Sequence, residues 1–175
     1  MKLKSLSIWS NIVAIAHNGY GYVQCRQTCT KLNKKYKLMD IEKFKLEAKN
    51  KALHIADVSG STFVNADCFD VFPFIEDKSI QLILADLPYG TTANKWDSIL
   101  PLDKLWKEYK RILKDNGAIV LFGAEPFSTL LRSSNMEWYK YDWIWVKSRK
   151  TGFLNSKNRP LNQHENISVF SKFIT

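Results

Sequence analysis

Residues 80–90 read Ile-Gln-Leu-Ile-Leu-Ala-Asp-Leu-Pro-Tyr-Gly. The first six are almost continuously apolar, the pattern of a strand buried on both faces. Asp86, Pro88 and Gly90 then end it abruptly. In open sheets with helices on their faces, ligands gather at the carboxyl ends of the strands. Asp86 stands at such an end, so the segment marks both the centre of the fold and a place for chemistry.

Working outward, strands and helices alternate from Thr62 onward. Thr62–Asn65 is a short apolar piece, and residues 69–75 form a brief helix interrupted by Pro73. Residues 102–114 place Leu102, Leu105, Trp106, Tyr109, Ile112 and Leu113 on one helical face, with Pro101 at its start and Gly117 suited to its C-terminal cap. Residues 118–122 form a second buried strand, residues 125–133 a helix beginning near Pro126, residues 139–147 a third strand and residues 166–170 a last one. Residues 148–163 form a long, basic loop. Strands separated by helices predict an α/β fold with a mainly parallel sheet.

Upstream, residues 1–60 are lysine-rich and weakly patterned, a basic extension distinct from residues 61–175. Residues 31–51 suit a basic amphipathic helix or two short ones. Residues 6–16 are too short and polar to span a bilayer, and suit a small strand or helix packing on the domain. Residues 57–61 read as a connector around Gly60.

The chain has 175 residues and a net charge of +9, which favours a polyanionic partner, nucleic acid first. Its three cysteines are too few for a disulfide framework, and Cys25 and Cys29 lack the companions of a zinc site, so no metal is expected. Cys68 reads as a core thiol. A reducing cytoplasm suits this composition.

Residues 84–90, Leu-Ala-Asp-Leu-Pro-Tyr-Gly, resemble motif IV of the D-P-P-Y amino-methyltransferases, which act on adenine N6 or cytosine N4, with leucine in place of the first proline. Residues 91–97 (Thr-Thr-Ala-Asn-Lys-Trp-Asp) resemble the following loop in phage and bacterial adenine-specific enzymes. Residues 116–122 and residues 145–147, followed by a basic loop and His164-Glu165-Asn166-Ile167, are similar to later motifs of that family. The resemblance spans residues 63–172. It implies a Rossmann-like fold dependent on S-adenosylmethionine and transfer of a methyl group to an exocyclic amine of DNA. N4 of cytosine, or RNA, satisfies the same chemistry.

The amine lone pair is delocalised into the base, so it is a poor nucleophile. Acceptors aimed at its hydrogens favour the pyramidal form and stabilise developing positive charge. By resemblance, Asp86, Pro88 and Tyr89 form this site. Asp86 supplies a carboxylate and a nearby backbone carbonyl a second acceptor, while Pro88 stiffens the turn. Tyr89 offers a flat face to an extruded base. Asp67 and Asp86 are expected beside the cofactor, with the N-cap of a short helix as the other reading of Asp67. Lys147, Arg149, Lys150, Lys157 and Arg159, with Ser148 and Phe153 among them, are the expected DNA contacts. Trp143 and Trp145 are expected in the core, with base stacking as the other reading. His164 and Glu165 read equally as a surface pair or as family positions.

The family's glycine-rich cofactor motif follows a strand, and in this motif order it lies near the C-terminus. The chain ends at Thr175 without it, so the fold is expected to be incomplete. Gly19-Tyr20-Gly21 lacks the leading phenylalanine and the acidic residue. Three readings follow: a methyltransferase, half of a split one, or a non-catalytic nucleic-acid-binding relative. Loss of the missing strands would leave the strand before Asp86 with an open apolar edge, to be covered by the N-terminal region, a second chain or another copy.

Overall fold

The computed structural model describes residues 12–17, 21–26, 54–58, 61–94 and 97–173. Its strands are β1 (Ile12–His17), β2 (Gly21–Arg26), β3 (His54–Val58), β4 (Ser61–Asn65), β5 (Ile80–Asp86), β6 (Leu113–Gly123), β7 (Tyr139–Thr151) and β8 (Asn162–Phe170). Among the described residues three helices accompany them, α1 (Cys68–Val71), α2 (Leu102–Ile112) and α3 (Phe127–Ser133), with 3-10 turns at Phe72–Phe74 and Phe153–Asn155. All eight strands form one sheet in the order β3-β4-β2-β1-β5-β6-β8-β7. Residues on both sides of position 60 thus contribute to the same sheet. The amphipathic segment expected over residues 31–51 lies outside the described residues.

The fold is mixed α/β, but the expected mainly parallel sheet is corrected. Only β1–β5 and β5–β6 pair in parallel, and the other five pairings are antiparallel. The reason is connection length. Parallel neighbours need a crossover of a dozen or more residues, whereas short links make hairpins. Three residues join β1 to β2 and two join β3 to β4. The connector expected over residues 57–61 therefore shrinks to a link between antiparallel strands. β8 turns back between β6 and β7. Even so, β4, β1, β5, β6 and β7 all run in one direction, so their carboxyl ends share one rim.

Of the coverings expected for the edge of β5, the structure shows the N-terminal one. β1 pairs with β5 in parallel from Ile12↔Leu82 to Ala16↔Asp86. The N-terminal region thus takes that edge, leaving no vacancy there for a second chain. Gly21 pairs with His17 in a hairpin of two strands. The Gly19–Gly21 run therefore joins strand to strand rather than strand to helix.

Burial of β5 is one-sided rather than complete on both faces. Ile83 and Ala85 are buried while Leu82 and Leu84 are half-buried. The buried face continues through Ile119 and Leu121 of β6 to Phe170 of β8. Against it lies α2, whose buried stripe is Leu105, Trp106, Tyr109 and Ile112. Trp106 meets Phe170 at 4.9 Å between ring centroids, and Tyr109 meets Phe72 edge-on at 5.8 Å. Burial of each such side chain contributes about 1.5–3 kcal/mol. Cys68 is half-buried against this core, and burial with the neighbouring Asp67 charge pushes its thiol up to about 12.

Arg111 ties α2 to the 3-10 turn. It donates to the carbonyls of Phe72 (2.7 Å) and Ile75 (2.8 Å), and pairs with Glu108 and Asp77. Burial works against its charge, yet the two carboxylates hold its pKa above the ordinary arginine value.

Gly117 does not cap α2. The helix ends at Ile112 and Gly117 lies inside β6, where an added Cβ would come within 2.9 Å of the Gln81 carbonyl and 2.8 Å of Leu113. Close strand packing requires this glycine. Residues 148–163 are not a plain loop either, because β7 continues to Thr151 and β8 begins at Asn162.

Candidate active site

Cross-strand register assembles the site. Asp86 of β5 pairs with Phe122 of β6, Phe122 with Ile167 of β8, and Ile167 with Trp143 of β7. Directly paired residues share a face of a sheet, so these four form one row across the less covered face. Trp145, two residues beyond Trp143, points to the same side. Asp86, Phe122, Trp145 and Ile167 line a cleft of about 460 Å³. A carboxylate thus stands at the rim of an apolar, aromatic-walled hollow of a size that suits a small-molecule group.

The turn after β5 is held from beneath. Leu87 and Pro88 are buried, while Asp86 is exposed. The Tyr89 hydroxyl donates to Asp86 Oδ1 at 2.8 Å. Its ring stacks on Phe127, with centroids 5.2 Å apart and planes inclined by 18°. One face of Tyr89 is therefore taken by α3. Burial, followed by the charge of Asp86 and the hydrogen bond to it, raises the Tyr89 phenol well above its ordinary pKa.

Gly90 continues the chain at φ +68°, a left-handed conformation that glycine tolerates, with Ile99 3.0 Å from where a Cβ would be. Asp97 then clamps the loop. Its carboxylate accepts the N–H groups of Gly90 (2.9 Å), Thr91 (2.9 Å) and Thr92 (2.7 Å). Its residue is 8% exposed. Burial disfavours its charge, but the Thr92 hydroxyl and these N–H groups hold its pKa below the ordinary value. Lys95 and Trp96 lie outside the described residues.

Asp86, Pro88 and Tyr89 stand together on the turn that follows β5. Trp143 and Trp145 are not in the core: they are 53% and 48% exposed, because β7 is the outer strand and, among the described residues, no helix covers that face of it. Sequence reasoning missed Phe122, Ile167 and Asp97. Phe122 and Ile167 read as ordinary strand residues, and only register brings them to Asp86. Asp97 carried a signal, as a lone carboxylate closing a loop of threonines and asparagine.

Lys147 pairs with Glu165 and lies 5.5 Å from the Trp145 ring centre, so its charge is engaged within the protein. Arg149, Lys150, Lys157 and Arg159 are exposed, as is His164. Asp67 caps α1, accepting the Phe69 N–H at 2.8 Å. It follows β4, whose Asn65 falls in the same transverse row as Asp86. At ~4.8 Å per strand, three strand positions separate the two by roughly 14 Å along the shared rim.

The described residues fit the acceptor side of a group transfer: a carboxylate, an apolar hollow and an aromatic wall. They show no glycine-rich cradle for a nucleoside-bearing donor. Among the described residues no group of three or more histidine, cysteine or acidic residues is placed to hold a metal ion. Among them, also, no helix is long and apolar enough to cross a membrane.

An acidic turn thus stands at the carboxyl end of a central parallel strand, facing an aromatic cleft in an α/β domain. A family model, N6_N4_Mtase, described as DNA methylase, matches residues 80–173, from the start of β5 to just beyond β8. That is more than half of the 175 residues, and the chain belongs to this family of DNA methylases.

Proposed function

We propose that the chain transfers a methyl group from S-adenosylmethionine to the exocyclic N6 amine of adenine in DNA. One observation carries this reading: the Asp86 carboxylate at the rim of the cleft walled by Phe122, Trp145 and Ile167. An extruded base entering that cleft would be enclosed by aromatic surface, with its amine toward Asp86. A hydrogen bond from the amine to the carboxylate would raise electron density on nitrogen and offset its developing positive charge; the donor's sulfonium would supply the methyl group and leave as a thioether, and the amine's surplus proton would pass to solvent. Tyr89 holds the carboxylate in place. Asp86, Pro88 and Tyr89 are the proposed acceptor site. Asp67 is the proposed cofactor-side acid. Arg149, Lys150, Lys157 and Arg159, with Lys147 at the base of the arm they occupy, are the proposed DNA contacts. Five strands running in one direction support a Rossmann-like ancestry for the sheet.

Asp86→Ala tests the reading. Asp86 is exposed, so the variant should keep the wild-type unfolding midpoint while losing methyl transfer by at least a thousandfold. Retained transfer overturns the role. Digestion of the methylated DNA to nucleosides separates N6-methyladenine from N4-methylcytosine, and an RNA substrate run in parallel tests the nucleic acid.

A further inference from the structure

β7 runs in the same direction as β5, so its C-terminal part extends past the rim that carries Asp86. Trp143 shares the transverse row of Asp86, and β7 continues eight residues further to Thr151. β7 bulges between Val146 and Thr151, and its partner β8 spans only five residues from Ile167 to Asn162, so at about 3.3 Å per residue the β7–β8 ribbon reaches roughly 16 Å beyond that row. The other strands of the core stop near it, β5 at Asp86 and β6 at Gly123. The ribbon is thus an arm.

Its chemistry is divided. Residues 147–163 hold Lys147, Arg149, Lys150, Lys157 and Arg159 and no carboxylate. At the tip, Gly152 turns the chain at φ +93° into the 3-10 turn Phe153–Asn155. There Phe153 is 72% exposed and Leu154 102% exposed. Two large apolar side chains held outward at the end of a wholly cationic arm gain nothing in water. Against duplex DNA the same arrangement is complementary: cations meet phosphates, and apolar side chains enter the base stack. A two-stranded ribbon also fits the major groove, about 12 Å wide.

We propose that Phe153 and Leu154 form a wedge that enters the DNA base stack beside the target base and occupies the space its extrusion leaves. The inference rests on the reading of this chain as acting on an extruded base. It adds a second element, beside the site of Asp86, that favours the open state of the DNA.

The test is binding of the full chain to two fluorescently labelled duplexes of one sequence, intact and with a single abasic position. A wedge binds best where the stack already has a gap, by about tenfold for the stacking of one aromatic-sized group. Wild-type protein should show that preference. Phe153→Ala/Leu154→Ala should bind the abasic duplex no more tightly than the intact one, while the salt dependence set by the remaining cations stays that of the wild type. Equal wild-type affinity for the two duplexes, or a preference that survives in the double variant, overturns the wedge. Methyl transfer by the wild type to mixed-sequence DNA is measured alongside. Transfer without an abasic preference removes the wedge alone, while a preference without transfer removes the enzymatic reading alone.

Discussion

The Tyr89 hydroxyl donates to Asp86 Oδ1 at 2.8 Å, from a ring stacked flat on Phe127. The proposed acceptor for the substrate amine is thus oriented by the third residue after it, and that residue is anchored by a helix. Tyr89→Phe keeps the stack and removes the donor. Methyl transfer should fall about tenfold in kcat, the effect of one hydrogen bond to a charged group, with KM for DNA unchanged within about threefold. Steady-state kinetics separate the two. The raised phenol pKa has a further consequence, because the unfolded chain ionises first. Stability linked to Tyr89 is complete below pH 10.0 and declines as pH rises above it. The Phe variant should lack that alkaline decline.

Asp97 predicts a stability effect with a defined pH window. Asp97→Asn leaves at least one of three N–H groups without its acceptor, which costs about 1–3 kcal/mol. The native pKa is depressed, so the charged form stabilises the fold above the ordinary aspartate value of 3.8, and this is lost as pH falls through the lower folded value. Urea unfolding should show a constant gap between wild type and variant from pH 7 to pH 5. That gap should close in acid. Because the clamp positions the loop next to Tyr89, methyl transfer should fall as well.

Trp145 lines the cleft from an outer strand and is 48% exposed. Trp145→Ala should leave the unfolding midpoint within about 0.5 kcal/mol of wild type and reduce kcat/KM by about tenfold to a hundredfold, the worth of one base-stacking contact. Trp145→Phe should recover most of the loss. An unchanged kcat/KM in the alanine variant would place the base elsewhere.

The arm predicts a salt dependence. Replacing Arg149, Lys150, Lys157 and Arg159 with alanine removes four exposed cations. If each meets one phosphate, the slope of log K against log salt should become shallower by up to about 3.6. Titrations at several salt concentrations give the slope directly.

Arg111 predicts a loss of stability. Arg111→Ala removes hydrogen bonds to the carbonyls of Phe72 and Ile75 and leaves Glu108 without its partner. The pair is partly exposed, so the expected loss is about 1–3 kcal/mol, mostly from the two lost hydrogen bonds to carbonyls, read by chemical denaturation, with the site residues untouched.

Much of the centre was legible in the sequence because its determinants are local. An apolar run makes β5, and Asp86, Pro88 and Gly90 stop it within a few residues. The stripe from Leu105 to Ile112 makes α2 by its spacing alone. The turn chemistry at residues 86–90 is contained in a pentapeptide, which is why the family was readable before any coordinate. Other features depend on partners distant in the chain. That β1 lies beside β5, that most pairings are antiparallel, and that Trp145 faces a cleft rather than the core all follow from strand order and register. A shift of one residue in register would turn each of these side chains to the opposite face. The sequence alone therefore determined the strand, the acidic turn and the chemistry they suit. Only the tertiary structure decided that Phe122, Ile167 and Trp145 enclose that chemistry, and that a cationic ribbon carries Phe153 and Leu154 beyond it, because the register between strands is set by packing over the whole sheet.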